Sequence, residues 1–169
     1  HIEKKEGTSW KKDFLLTEGS HNLGGFDFDS AIARHVLKKL PGDLSKSIKQ
    51  DKVKMWYLLD ACKTSREGLT TMEETCIDLG KLEGKLRVPF NRKSFQELDD
   101  VRVLLSSIRK AIDDVISKQT DISEVVTMGG ASNMTCIQEI VASCCKGIKI
   151  NRMLDANETV VFGAAYEAF

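Results

Sequence analysis

Apolar residues recur three and four positions apart through much of the chain, which is the spacing of a helix with one buried face. The first such stripe predicts a helix over residues 26–40, capped by Asp29 or Ser30 and ended by Pro41–Gly42. A second helix is predicted over 51–69, with a buried face of Met55, Leu58, Leu59 and Cys62. A third follows a capping box of Ser94 and Glu97, and its stripe consists of Leu98, Val101, Leu104, Leu105, Ile108, Ile112 and Val115.

Alternating apolar and polar residues predict short strands between these helices. The first twenty residues contain two glycine breaks and read as a hairpin or the end of a sheet. "ETCIDL" and "KLRVPF" predict a small antiparallel pair, with Leu86, Val88 and Phe90 on one face. Further strands are predicted at "VVTM", residues 125–128, and "GIKI", residues 147–150.

Two more helices complete the pattern. One lies between the last two strands, and its inward residues are Met134, Ile137, Ile140, Val141 and Cys144. The other covers 158–169, capped by Asp155 with Glu158, and its small residues 163–165 favour close packing on a sheet. Helices and strands in this order predict a mixed α/β fold.

Composition narrows the class of protein. The chain has 169 residues, 41% of them hydrophobic and 30% charged, which is typical of one soluble globular domain. Twenty-five Lys and Arg balance 25 Asp and Glu, so the cation surplus that a nucleic-acid binder needs is missing. No apolar run approaches the roughly 20 residues that span a bilayer, and the first residues lack the apolar core of a signal peptide. We therefore expect a cytoplasmic chain, or one cut from a larger protein, that binds neither nucleic acid nor membrane.

Five cysteines without CxxC spacing favour reduced and mostly buried thiols over a disulfide framework or a zinc site. The three histidines are scattered along the sequence. No nucleophile, base and orienting acid assemble from these residues, so we predict no catalytic and no metal-binding residue.

The stretch "VVTMGGASNM" places two glycines, Gly129 and Gly130, between a predicted strand and a predicted helix. Such a corner presents free backbone N–H groups and the positive end of a helix, where anions bind in α/β proteins. Glycine also serves any tight strand-to-helix turn. The pattern alone leaves both interpretations open.

A second cluster of polar residues lies on the helix over 51–69. Lys63, Arg66, Glu67 and Thr70 follow each other at i, i+3, i+4 and i+7, so they share one face opposite the apolar stripe. The plain interpretation is a solvated face with a Lys63–Glu67 ion pair. A binding face for a polar ligand is the alternative.

Five motifs in order resemble the second lobe of the actin-like ATPase domain of the 70-kilodalton heat-shock chaperones. They are "NLGGFDFDSAI", "DACKTSREGL", "LEGKLRVPFNRKSFQEL", "VVTMGGASNM" and "DANETVVFGAA", and the resemblance runs from about residue 15 to 169. It implies an actin-like (ribonuclease H-like) α/β fold over 1–169, with a mixed sheet flanked by helices. It also implies a small helix-and-hairpin subdomain at about 43–93.

The resemblance also implies a site for ATP or ADP. In the family the polar face of the second helix contacts adenine and ribose, and the glycine corner lies against sugar and phosphates. Carried onto this chain, the nucleotide-binding positions are Lys63, Arg66, Glu67, Thr70, Gly129, Gly130, Ala131, Asn133 and Asn157.

The chain departs from the family at several of these positions. The charges at Lys63 and Glu67 are reversed, the family's serine and arginine are Ala131 and Asn133, and its aspartate at the last cap is Asn157. These changes motivate an alternative, in which a degenerate nucleotide-binding fold serves as a protein-interaction module or a co-chaperone docking surface. Another actin-like protein, such as a sugar kinase or filament protein, fits the motifs less well.

The family's catalytic and metal-orienting residues lie in the other lobe, and its second phosphate loop would precede residue 1. We therefore expect a fragment of an ATP-dependent chaperone that is not catalytic alone, whereas its parent is an ATPase. Magnesium is expected only with the missing lobe. The implied partners are that first lobe, a peptide-binding domain, nucleotide-exchange factors and co-chaperones.

Overall fold

The computed structural model describes residues 2–6, 9–13, 16–20, 23–119, 121–151 and 158–168. Its strands are β1 (Ile2–Glu6), β2 (Ser9–Asp13), β3 (Glu74–Asp78), β4 (Arg87–Asn91), β5 (Glu124–Val126) and β6 (Lys149–Asn151). Its helices are α1 (Gly25–Lys39), α2 (Gly42–Gln50), α3 (Lys52–Gly68), α4 (Arg92–Glu97), α5 (Asp99–Lys118), α6 (Thr135–Cys144) and α7 (Thr159–Ala168). A 3₁₀ turn at Gly130–Asn133 precedes α6. The predicted α/β character is confirmed.

The described strands form three separate pairs, so the predicted mixed sheet is not formed among them. β1 and β2 are antiparallel, as are β3 and β4, where Ile77 lies opposite Val88. β5 and β6 are parallel and are connected through α6, with Val125 opposite Ile150. Strands of three residues offer few ladder hydrogen bonds, and each antiparallel hairpin pairs with no other described strand.

The core lies between α1, α3, α5 and α6, where the predicted stripes meet. Ile32, Val36, Leu58, Cys62 and Val101 are completely buried. α1 packs on α3 and α5, α5 packs on α6, and the β3–β4 hairpin packs on α3. Sequence analysis did not predict α2, a helix of nine residues that buries Ser45 and Ile48.

Two predicted helix starts are wrong. α1 begins at Gly25, where the Asp27 carboxylate accepts a hydrogen bond from the Gly24 N–H at 2.7 Å, while Asp29 is buried. Ser94 and Glu97 belong to the short α4, whose cap is Asn91; its side chain accepts from the Ser94 N–H at 2.8 Å. In α1 the cap is Gly24, to which Asp27 bonds back from the first turn, and in α4 it is the side chain of Asn91.

The predicted packing of α7 on a sheet is also wrong. Residues 160–165 are exposed, with Val160, Val161 and Phe162 between 59% and 69% exposed. The two-stranded β5–β6 pair is too small to cover a helix of ten residues. The predicted cap Asp155 lies outside the described residues.

Candidate functional site

A buried ion pair joins the helix face predicted to bind a ligand to α1. The Arg66 Nε donates to Asp29 Oδ1 at 2.6 Å, and its Nη2 lies 3.4 Å from Oδ2. Both side chains are nearly inaccessible, at 6% and 7% exposed. The two contacts hold the guanidinium in one plane between the helices. Arg66 is therefore a fixed group rather than a mobile surface cation.

The other three residues of that face remain accessible. Lys63 and Glu67 are exposed, and no ion pair joins them in the part of the chain that the structure describes. Glu67 instead lies 3.7 Å from the Arg66 Nη2. The Thr70 hydroxyl donates to the Glu67 carbonyl at 2.7 Å. The predicted solvated Lys63–Glu67 pair is thus wrong, because Arg66 attracts the carboxylate at closer range.

The glycine corner is a left-handed backbone turn followed by a single 3₁₀ turn. Gly129 has φ +83°, a conformation that disfavours side chains. Its carbonyl accepts from both the N–H and the hydroxyl of Ser132, at 2.9 and 2.8 Å. Gly130 and Asn133 are exposed, whereas Ala131 is half-buried. Gly129 is therefore required by the backbone itself, whether or not a ligand binds.

Gly25 lies where the predicted helix face of α3 and the glycine corner approach each other. A Cβ atom on Gly25 would lie 3.4 Å from the Arg66 Nη2 and 3.7 Å from the Ala131 Cβ. Positions 25, 66 and 131 are therefore in mutual reach at the start of α1. One residue of the predicted helix face, Arg66, and one of the glycine corner, Ala131, therefore lie close together at the start of α1.

A small pocket opens beside this meeting point, between α3, α4 and the start of α6. Its mouth is open to solvent, and its interior has room for little more than a water molecule. Its walls include Arg66, Thr70, Arg92, Phe95, Gln96 and Met134. Phe95 and Met134 are buried and give it an apolar side, whereas the two arginines and Gln96 give it a polar side.

Arg92 fixes the backbone at one edge of this pocket. Its Nε donates to the Leu69 carbonyl at 2.6 Å and its Nη2 to the Thr70 carbonyl at 3.1 Å. Its Nη1 pairs with the Glu73 carboxylate, and its backbone N–H donates to the Glu73 carbonyl. Free carbonyls at the end of α3 are thereby satisfied from α4.

Sequence reasoning missed Gly25, Asp29, Arg92 and Gln96 as parts of this region. Asp29 is not the predicted helix cap: it stands among the apolar positions of α1, and that placement is a signal for a buried partner. Arg92 and Gln96 gave no local signal, because their contacts involve residues far away in sequence. Asn157 lies outside the described residues.

Electrostatics do not point to an activated thiol in this region. Burial raises the pKa of Cys62 to about 12, and the nearby Asp29 charge acts in the same direction. Within the described ranges, no three His, Cys, Asp or Glu side chains are grouped as metal ligands would be.

The comparison with known protein families decides the assignment. A family model described as Hsp70 protein matches residues 11–169. This chain belongs to the Hsp70 family. Membership gives it the actin-like, nucleotide-binding fold and a chaperone-type function, with co-chaperones and substrate peptides as partners in general. Among the described helices, none is long and apolar enough to cross a membrane.

Proposed function

We propose that this chain is the second lobe of the ATPase domain of an Hsp70-type chaperone and forms one wall of its adenine-nucleotide pocket. ATP or ADP would bind with the base between α3 and the glycine corner. The first lobe would supply catalysis and the magnesium site, so this lobe alone would not hydrolyse ATP. Residues 43–93 would form its small subdomain.

The observation that carries the proposal is the convergence at Gly25. Arg66 from α3 and Ala131 from the corner both lie within 4 Å of one point at the start of α1. The adjoining pocket has an apolar side of Phe95 and Met134 and a polar side that includes Gln96, and a planar base would lie across its open mouth.

The contacts divide the predicted residues by role. Arg66 is held by Asp29 and would shape the pocket, whereas Thr70 lines it and is free to accept a hydrogen bond. Lys63 and Glu67 would lie at the rim of the pocket, where the Lys63 ammonium would bind sugar or phosphate oxygens. Gly129, Gly130 and Asn133 would approach the nucleotide through the corner.

The test is calorimetric titration of the two-lobed domain with ADP and ATP. We expect saturable binding, and Thr70→Val should weaken it. Lys110→Met, an exposed lysine on α5, is the control and should bind as the wild type does. Absence of saturable binding at millimolar nucleotide would overturn the proposal.

A second candidate function is a protein-interaction module, and one observation favours it. Val53 and Trp56 lie one turn apart on α3 and are 61% and 58% exposed. An exposed tryptophan beside a valine is unusual on a surface without a partner. Exchange factors or other co-chaperones would be the partners, acting in the cytoplasm.

Reversion of the altered positions separates the two functions. Lys63→Glu, Glu67→Arg and Asn133→Arg together restore the residue types of the family. Much tighter nucleotide binding by this variant would show that the natural pocket has decayed and would favour the interaction module. Equal binding by natural and reverted proteins would favour the nucleotide-binding lobe.

A further inference from the structure

The turn that follows α3 presents an acceptor to the pocket. The Thr70 hydroxyl donates to the Glu67 carbonyl at 2.7 Å, and in this hydrogen bond its lone pairs are left to accept from a ligand. A nucleoside with adenine has donors on the base only at its exocyclic amino group. Hypoxanthine has a keto oxygen at that position, which is an acceptor, and its donor lies one atom away, at N1. The polarity of Thr70 therefore favours adenine over hypoxanthine.

The direction of the Thr70 hydroxyl depends on the position of the backbone of residues 67–70. The Thr70 amide also donates to the Glu67 carbonyl, at 3.1 Å, but the carbonyls of Leu69 and Thr70 lie beyond the regular hydrogen bonds of α3. Their side-chain donor is Arg92, at 2.6 and 3.1 Å. Arg92 is 21% exposed and reaches these groups from α4, across more than twenty residues of sequence.

We propose that Arg92 is a positioning residue for nucleotide recognition, acting through Thr70 rather than by contact with the base. The inference rests on the proposed function. The guanidinium spans two successive carbonyls, which fixes the turn in both position and rotation. A lysine at this position would reach one carbonyl with a single point charge and leave the turn free to rotate. The Glu73 ion pair matters less, because its carboxylate is 77% exposed and well solvated.

Arg92→Lys in the two-lobed domain is the deciding variant. We expect its affinity for ADP to fall about tenfold, the loss of a charged hydrogen bond, and its affinity for IDP to fall much less. The preference for ADP over IDP should narrow accordingly. Arg87→Lys is the matched control, since Arg87 lies on β4, is 68% exposed and pairs with Asp78. Glu73→Gln should also leave both affinities unchanged.

A double variant tests whether Arg92 acts through Thr70. Once Thr70→Val has removed the hydroxyl, adding Arg92→Lys should cause no further loss of ADP affinity. Additive losses would overturn the inference, as would an equal loss for ADP and IDP or an unchanged affinity. Those results would leave the proposed function standing if the wild type binds nucleotide.

Hydrogen exchange tests the positioning role of Arg92 separately from the proposed nucleotide-binding function. If the wild type binds neither nucleotide, the proposed function fails, and the amides of Thr70, Thr71 and Met72 decide the role of Arg92. Each donates to a carbonyl of α3 in the structure. Faster exchange at these three amides in Arg92→Lys than in Arg87→Lys would show that Arg92 positions the turn. Equal exchange would overturn that role.

Discussion

At the scale of the residue, the buried Asp29–Arg66 pair is the strongest constraint on the site. A charge moved into a protein interior loses its hydration, and only a well-placed partner offsets that loss. With both side chains less than 8% exposed, neither group has an alternative in water. The pair therefore sets how α1 and α3 approach each other beside the pocket.

Removing one partner of this pair should be far more damaging than removing both. We expect Asp29→Leu or Arg66→Met to lower the free energy of unfolding by about 3–5 kcal/mol, since each leaves a buried charge unpaired. The double variant should lose much less than the sum. Urea unfolding of the wild type, the two single variants and the double variant measures these free energies.

The exposed pair of Arg34 and Asp100 serves as the control for that cycle. Its atoms are equally close, at 2.7 Å, but the side chains are 56% and 51% exposed. Arg34→Met should lower the free energy of unfolding by less than about 1 kcal/mol. Similar losses at both pairs would contradict the importance given to burial.

At the scale of the element, the interiors of helices were predictable and their ends were not. The stripes of α1, α3 and α5 follow from spacing, because burial of one face dominates the choice of helix. The ends depend on which of several nearby Asp, Asn or Ser side chains reaches the free N–H groups. Asp27 rather than Asp29 binds the start of α1, and Asn91 rather than Ser94 caps α4. Small differences in geometry decide such competition.

The glycine corner gives a prediction about an element boundary. Gly129→Ala should lower the free energy of unfolding by about 1–2 kcal/mol, because φ +83° places a Cβ against its own backbone. Apart from residues 128–130 themselves, no atom lies within 4 Å of that Cβ, so the loss reports backbone strain alone. Gly42→Ala, at the equally open first residue of α2, should leave stability unchanged or slightly raised. Thermal unfolding compares the two variants, and equal changes in stability would contradict backbone strain at Gly129.

At the scale of the whole molecule, the sequence predicted the α/β class and the two patches, but not how they are joined. Asp29 and Arg66 are 37 positions apart, and Arg92 and Thr70 are 22 apart. Periodicity reports only local burial, so it does not pair residues at such distances. The exposure of α7 could not be predicted either, because its small and apolar residues suit packing whether or not a partner surface is present.

Stability of the whole chain should depend on pH through His35. Its Nε2 is buried without a hydrogen-bond partner, and its ring lies 6.3 Å from that of Phe90, which joins α1 to the β3–β4 hairpin. Burial, and then the charges of Lys39 and Lys38, lower its pKa below the usual 6.5. The unfolded chain therefore binds the proton more readily, and stability should fall as pH drops below about 6.5.

Comparison with His35→Gln isolates this contribution. Urea midpoints at pH 7.5 and 5.5 should differ more for the wild type than for the variant, since other groups titrate equally in both. An identical pH dependence would mean that His35 takes up its proton without disturbing the interface.

The crowding at Gly25 has a consequence for how relatives of this chain diverge. Three segments, at positions 25, 66 and 131, share a space that already holds a guanidinium and a methyl group. A Cβ at position 25 would be in ordinary contact with both groups, but a side chain larger than alanine there must be offset by lost volume at position 66 or 131. In an alignment of close relatives these three columns should therefore covary in size, even though long stretches of sequence separate them.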